Sequence, residues 1–192
     1  MNFRTYDILS ALIPGFLILC VLLEFFGYKY NNDYVIVYTV FAFLFGFLMN
    51  SLSSWLEDFY FLTWNGKPSD RLLNGKDVWK VKFYHSQLAK DLLKTETTND
   101  NPSNDELFSV AMIYANQKDN RVEDFNSSYA FSRSLLTCVL IGGIFLLIKN
   151  FNEWKYYVVI IPTIIIIWLR CKQRAYYYAR EVLNVYLKTK KS

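Results

Sequence analysis

The stretch "IPTIIIIWLRCKQRAYYYAREVLNVYLKTKKS", residues 161–192, passes without a break from an apolar run into a tail crowded with Arg, Lys and Tyr. Pro162 to Leu169 carry no charge; beyond them Arg170, Lys172, Arg174, Arg180, Lys188, Lys190 and Lys191 stand against one acid, Glu181. A cationic cluster immediately after a membrane helix is drawn to anionic headgroups by about 1 kcal/mol per charge. Past it, Tyr176, Ala179, Leu183 and Tyr186 or Leu187 recur at i, i+3, i+7 and i+10, the stripe of an amphipathic helix. The pattern predicts a helix that leaves a bilayer and packs its stripe on the central segment, a neighbouring subunit or the lipid surface.

Hydrophobic residues make up 53% of the chain and charged residues 20%, and the two are segregated along it. From Ile8 to Phe26 the only charge is Glu24, and from Tyr34 to Leu56 there is none. Both stretches are long enough to cross a hydrocarbon core about 30 Å thick. Tyr129 to Ile148 carries only Arg133, close enough to one end to snorkel. Tyr156 to Leu169 is shorter and contains Pro162, but Trp154, Tyr156, Tyr157 and Trp168 supply interfacial anchors. The expected fold is therefore all-α: a multi-pass membrane protein of about four transmembrane helices with a helical cytoplasmic insertion and an amphipathic C-terminal helix. The expected divisions are a first helix pair in 1–56 (spans near 8–26 and 34–56), an insertion in 57–128, a second pair in 129–169 (spans near 129–148 and 156–169) and a basic tail in 170–192. The first apolar run lacks a small-x-small cleavage site, so it is expected to remain as an anchor.

Charge placement sets the expected orientation. The short connections Gly27–Asp33 and Lys149–Lys155 hold only Lys29, Lys149 and Lys155 of the 21 basic residues. By the positive-inside rule both termini and the insertion face the cytoplasm, with Arg4, Arg133, Arg170, Lys172 and Arg174 weighing most. The bias toward Phe, Tyr, Ile, Asn and Lys looks like an AT-rich bacterial genome, which makes the bacterial inner membrane the expected location.

Within the insertion, "VWKVKFYHSQLAKDLLK" places Val78, Val81, Tyr84 or His85, Leu88 and Leu92 on one face of an expected helix starting at Val78. "TETTNDNPSND" reads as a loop. Asp105 is the expected cap of a second helix through "ELFSVAMIYANQ", with a break near Asp119 before the third span.

The motifs exclude more than they assign. Walker A, Rossmann glycine, G-x-S-x-G and H-E-x-x-H patterns are missing, so no enzyme activity is expected. Cys20 and Cys138 lie in apolar runs and Cys171 just past one, without zinc-ligand spacing; free thiols, no metal and no cofactor are expected. His85 is the only histidine, and the R-x4-6-H ribonuclease pattern of HEPN domains survives only as Lys80-x4-His85. Lys lacks the guanidinium fork, so the pair is at most a weak RNA contact. Pro14 and Gly15, like Gly142 and Gly143, are hinge or packing positions. Glu24 and Arg133, expected at opposite ends of their helices, mark boundaries or a polar pathway. Arg170, Lys172, Arg174, Tyr176 and Arg180 are the expected contacts to membrane surface or partner; aromatic residues interleaved with Arg could also stack on bases, though direct nucleic-acid binding is not required by the charge pattern.

The early "YDILSALIPGF", the insertion between helix pairs and the tail "RAYYYAREVLNVYL" together give an organisation that resembles small multi-pass membrane accessories of prokaryotic antiviral defence operons, nearest the accessory of type VI-B RNA-targeting CRISPR systems. The resemblance is architectural and covers most of the chain. It implies an accessory or effector that modulates the outcome of an RNA-guided nuclease through membrane gating or permeabilisation. Partners would be membrane lipid, further copies of the chain and a cytoplasmic defence nuclease or RNA–protein complex. A non-pore membrane scaffold recruiting a cytoplasmic protein or RNA is the alternative, and a membrane-bound ribonuclease using Lys80 and His85 a third.

Overall fold

A computed structural model describes residues 5–76, 81–116 and 120–191. Every regular element among them is helical: α1 (Thr5–Phe26), α2 (Val35–Trp55), α3 (Glu57–Thr63), α4 (Pro68–Leu73), α5 (Ser86–Glu96), α6 (Asn104–Asn116), α7 (Asn120–Lys149) and α8 (Trp154–Lys191), with one 3-10 turn at Asn32–Tyr34. The fold is all-α. Two compact units divide it, Met1–Glu57 with Ala130–Cys171 and Asp58–Tyr129 with Lys172–Ser192, so α7 and α8 each lend one end to either unit.

In the first unit, Asn32–Trp55 and the apolar parts of Arg121–Lys149 and Trp154–Lys190 are long and apolar enough to cross a membrane, and Ser10–Phe26 is a shorter apolar helix beside them. Only 17% of the apolar window of Asn32–Trp55 is buried, and 6% of that of Trp154–Lys190. Large apolar side chains that face outward in this number suit a helix solvated by lipid. Membrane association follows from that surface.

The unit is organised by a backbone-to-backbone crossing of α1 and α2. A Cβ placed on Gly15 would land well inside 3.0 Å of the carbonyl oxygen of Ala42, and one on Gly46 would strike the carbonyl of Ala11 in the same way. The contacts pair rising positions in α1 with falling positions in α2, so the helices are antiparallel. Ala11-x3-Gly15 and Ala42-x3-Gly46 are matching small-residue faces, and such faces let membrane helices approach until backbones touch. The reversal between them starts at Gly27, whose φ of +77° is open to glycine at little cost. Tyr28 N–H donates to Leu23 O at 2.8 Å and Gly27 N–H to Glu24 O at 3.1 Å, closing α1 with a Schellman turn.

The C-terminal part of α7 lies parallel to α1. The Cys138 thiol meets Pro14 O at 3.2 Å, Gly142 faces Val21 and Ile18, and the rings of Phe25 and Phe145 are 5.2 Å apart. Gly143, rotated about 100° from Gly142 on a helix of 3.6 residues per turn, faces Ile160 and Ile164 of α8 instead. The two adjacent glycines thus each serve a different neighbour.

In the second unit the stripe read from the tail is buried: Tyr176, Leu183 and Tyr186 at 0% exposure, Ala179 at 3% and Leu187 at 5%. It packs against Leu72, Leu93, Leu107 and Ala111 in a core drawn from α4, α5, α6 and the end of α8. The tail therefore takes the first of its three expected supports, the central segment. Cutting Leu183 to Ala would remove a fully enclosed side chain, a change that costs about 2–5 kcal/mol in such sites.

Two local expectations are corrected. The helix expected from Val78 starts only at Ser86; Val81 and Phe83 are buried and Lys82 and Tyr84 exposed, a period of two that an extended strand-like lead-in produces. The helix then turns Ala89 and Leu93 inward while Leu88 stays 40% exposed. Val78, like Arg4 and the break expected near Asp119, lies outside the described residues. Asp105 is not the cap of α6 either. Ser103 accepts from Glu106 N–H at 3.2 Å while Glu106 accepts from Ser103 N–H at 2.7 Å, a reciprocal capping box. Asp105 instead pairs with Lys67 at 2.6 Å.

Gly46→Ala is expected to lower the stability of the detergent-solubilised protein by roughly 1–3 kcal/mol, because the added methyl meets backbone that cannot rotate away. Gly142→Ala, whose methyl meets only the Val21 side chain at 3.2 Å, should lose clearly less. Denaturant titration of both variants checks the order.

Candidate functional site

The charged residues singled out in the apolar helices have partners at the two ends of the first unit. Lys149 Nζ reaches both the backbone oxygen of Glu24 and its carboxylate, the latter at 3.2 Å. Arg133 Nη1 lies 2.6 Å from Glu57 Oε2, with side chains 12% and 28% exposed. A half-enclosed ion pair of this kind matters chiefly because removing one partner strands the other charge. Glu24 and Arg133 thus each lie against an opposite charge. Buried polar groups inside the bundle are small: Thr137 Oγ1 bonds Arg133 O at 3.1 Å and Ser53 Oγ bonds Asn50 O at 2.7 Å, each within its own helix. Gly15 sits in the α1–α2 crossing, and the Pro14 carbonyl lies against the Cys138 thiol.

In the second unit the start of α7 and the tail of α8 form a cation–aromatic ladder. The Arg180 guanidinium lies 5.0 Å from the Tyr177 ring centroid, Tyr177 is 6.4 Å from Phe125, and Arg121 is 6.0 Å from Phe125. Arg121 Nε also pairs with Glu181 at 3.3 Å; the Glu181 side chain is 5% exposed and that of Arg121 60%. Glu181 is thus the buried anchor of the pair, and the Arg121 side chain is its exposed member. Two guanidinium groups flanking two rings make a surface suited to stacking or to acidic partners.

Of the tail residues named from sequence, Arg170 is exposed and Lys172, Arg174 and Arg180 are half-buried. Tyr176 is no surface contact: it is fully enclosed in the core, because its position on the apolar stripe outranks its polar tip. His85 is exposed at the turn into α5 and makes no capping bond there. Lys80, its proposed companion, lies outside the described residues. The three cysteines are free, Cys20 exposed and Cys138 and Cys171 buried. Among the described residues no three His, Cys, Asp or Glu side chains converge as a metal site.

The end of α8 is held by a second cluster. Lys190 Nζ donates to Glu96 Oε1 at 2.6 Å, Tyr114 O–H donates to Glu96 Oε2 at 2.8 Å, and Lys190 sits 4.4 Å from the Tyr114 ring centroid. These bonds from Lys190 and Tyr114 hold the Glu96 carboxyl below its ordinary value of 4.5. The arrangement joins the last turn of α8 to α5 and α6.

No family model, curated protein or solved structure matches the chain. Function therefore has to be argued from these surfaces.

Sequence reasoning pointed to Arg180 but missed Arg121, Phe125 and Tyr177. The signal was available only as pairs spaced i, i+4 (Arg121 and Phe125) and i, i+3 (Tyr177 and Arg180), a spacing that puts side chains side by side on a helix. That the two pairs meet is a tertiary fact.

A carboxyl depressed by its partners contributes stability above its unfolded value, and that contribution is lost as pH falls through the folded one. A spin label at the exposed Lys188 position (Lys188→Cys in a Cys20→Ala background) should therefore be ordered at neutral pH and gain mobility as pH falls below 4.5. With Glu96→Gln added, the label should be mobile already at neutral pH; an unchanged spectrum would detach the cluster from the tail's order.

Proposed function

We propose that the chain is a bacterial inner-membrane docking protein, with both termini in the cytoplasm, that holds a helical domain at the membrane to recruit a cytoplasmic protein or RNA–protein complex. The cation–aromatic ladder of Arg121, Phe125, Tyr177 and Arg180 carries this reading, because it is a contiguous binding surface built jointly by two helices that each continue into an apolar, membrane-suited segment. The orientation rests on the distribution of basic residues. The architectural resemblance to type VI-B accessories supports a place in antiviral defence and an RNA-guided nuclease complex as the partner.

A second reading is an oligomeric effector that gates or permeabilises the membrane. It is favoured by an apolar groove in the first unit, lined by Ile18, Leu22, Phe45, Met49, Ile141 and Phe145, that a helix of another copy would fill. Permeation would need such association, because the described cluster of Ile18, Met49 and Cys138 is apolar and ions need a polar path.

Purified protein in liposomes separates the two. The docking reading expects dye-tight vesicles that bind a single-stranded RNA or nuclease–RNA probe, with affinity reduced about tenfold or more in an Arg121→Ala, Arg180→Ala variant as two cationic stacking contacts are lost. Dye efflux from protein that forms oligomers, unaffected by those substitutions, would transfer the assignment to the pore.

A further inference from the structure

The third helix, α3, begins at Glu57, directly after Leu56 at the end of α2, and the first unit gives way to the second between Glu57 and Asp58. Its seven residues, with Trp64 directly after them, are apolar on two opposite faces. Tyr60 and Trp64 point inward at 1% and 0% exposure, their rings stacked 6.5 Å apart. Phe59 and Leu62 point the other way at 59% and 76% exposure, and Trp55, at the end of α2, is 78% exposed. On a helix of 3.6 residues per turn Phe59 and Leu62 are about 60° apart, with Asp58 and Thr63 at the edges of the same arc. Where a surface helix facing water would carry charge, α3 carries two large exposed apolar side chains. A helix apolar on both sides has an apolar medium on both sides.

The medium follows from continuity along the chain. Trp55 ends a helix suited to span a membrane, so Phe59 and Leu62 stand within seven residues of the point where the chain leaves the bilayer. That point is the zone of headgroups and first acyl carbons in which tryptophan and other aromatic side chains concentrate. Short amphipathic segments settle there with their apolar face about 5–10 Å below the headgroups. We propose that the outer face of α3 is an interfacial contact with the membrane, with Phe59 and Leu62 inserted among the lipids and Tyr60 and Trp64 buried on the other side. The inference rests on α2 spanning the bilayer. It assigns α3 a second role beside packing, a hold on the lipid surface that needs no partner bound at the ladder.

The test is collision accessibility of spin labels in the full chain reconstituted in nanodiscs of zwitterionic and anionic phospholipid, using a Cys20→Ala background with the buried Cys138 and Cys171 left in place. Labels go at Phe59→Cys and Leu62→Cys, with Phe47→Cys, exposed in the middle of α2, as the lipid reference and Tyr84→Cys, 79% exposed, as the reference for water. At positions 59 and 62 the ratio of oxygen to nickel-chelate collisions should exceed that at 84 by several-fold and approach that at 47. Nickel access equal to that at 84 would place the face in water and overturn the proposal. Shielding from both reagents would mean that protein, a second copy or another part of the chain, covers it, and would overturn the proposal equally. Nickel access at 47 itself would remove the span of α2, and the interfacial helix with it.

Discussion

The crossing of α1 and α2 is the constraint on which the first unit depends. Gly15 and Gly46 each lie against a carbonyl of the opposite helix, Ala42 and Ala11 respectively, at a distance no side chain tolerates. In lipid this closeness matters more than in water, since apolar side chains gain nothing by leaving acyl chains for one another and association rests on packing itself. With the backbones in contact, the remaining choices narrow. The chain must reverse tightly, which the left-handed Gly27 permits, and α7 then packs beside α1 with Gly142 against it and Gly143 turned to α8. The ion pairs Glu24–Lys149 and Glu57–Arg133 close the helices at their ends, where charge can be neutralised without crossing the apolar zone.

The second unit is held by a different force. Its core is a water-excluding cluster in which the α8 stripe supplies Tyr176, Leu183 and Tyr186 to a set of helices, α4 to α6, too short to enclose a core by themselves. Isolated helices of this length are marginal in water, and tertiary burial is what stabilises them. The tail is therefore an integral wall of the unit. Its charged residues divide accordingly: Glu181 and Lys190 pair with protein partners, while Arg170 is exposed in the first unit.

That division explains why the site was only half legible. The apolar stripe from Tyr176 to Leu187 could be read because helical period alone dictates which side chains share a face. Arg180 could be suspected from its charge. The ladder it belongs to could not, since Phe125 and Tyr177 are 52 positions apart in the chain and nothing local announces that their rings will meet. The same limit appears at α5 and α6. Propensity and spacing favoured a helix from Val78 and a cap at Asp105, but the burial of Val81 and Phe83 drew the lead-in into extended backbone, and Lys67 claimed Asp105 while Ser103 and Glu106 capped each other.

By itself the sequence determined the all-α class, the apolar stretches and their approximate limits, and the amphipathic tail, because each follows from hydrophobic length or period along one segment. It also contained the A-x3-G pairs in α1 and α2, although their meaning requires a partner helix. Only the tertiary structure decided which small residues touch, which acid closes which base, and that the tail folds back on the central segment to build a cation–aromatic face. Those outcomes depend on contacts between positions far apart in the chain, and such contacts are selected by shape, burial and charge compensation in three dimensions.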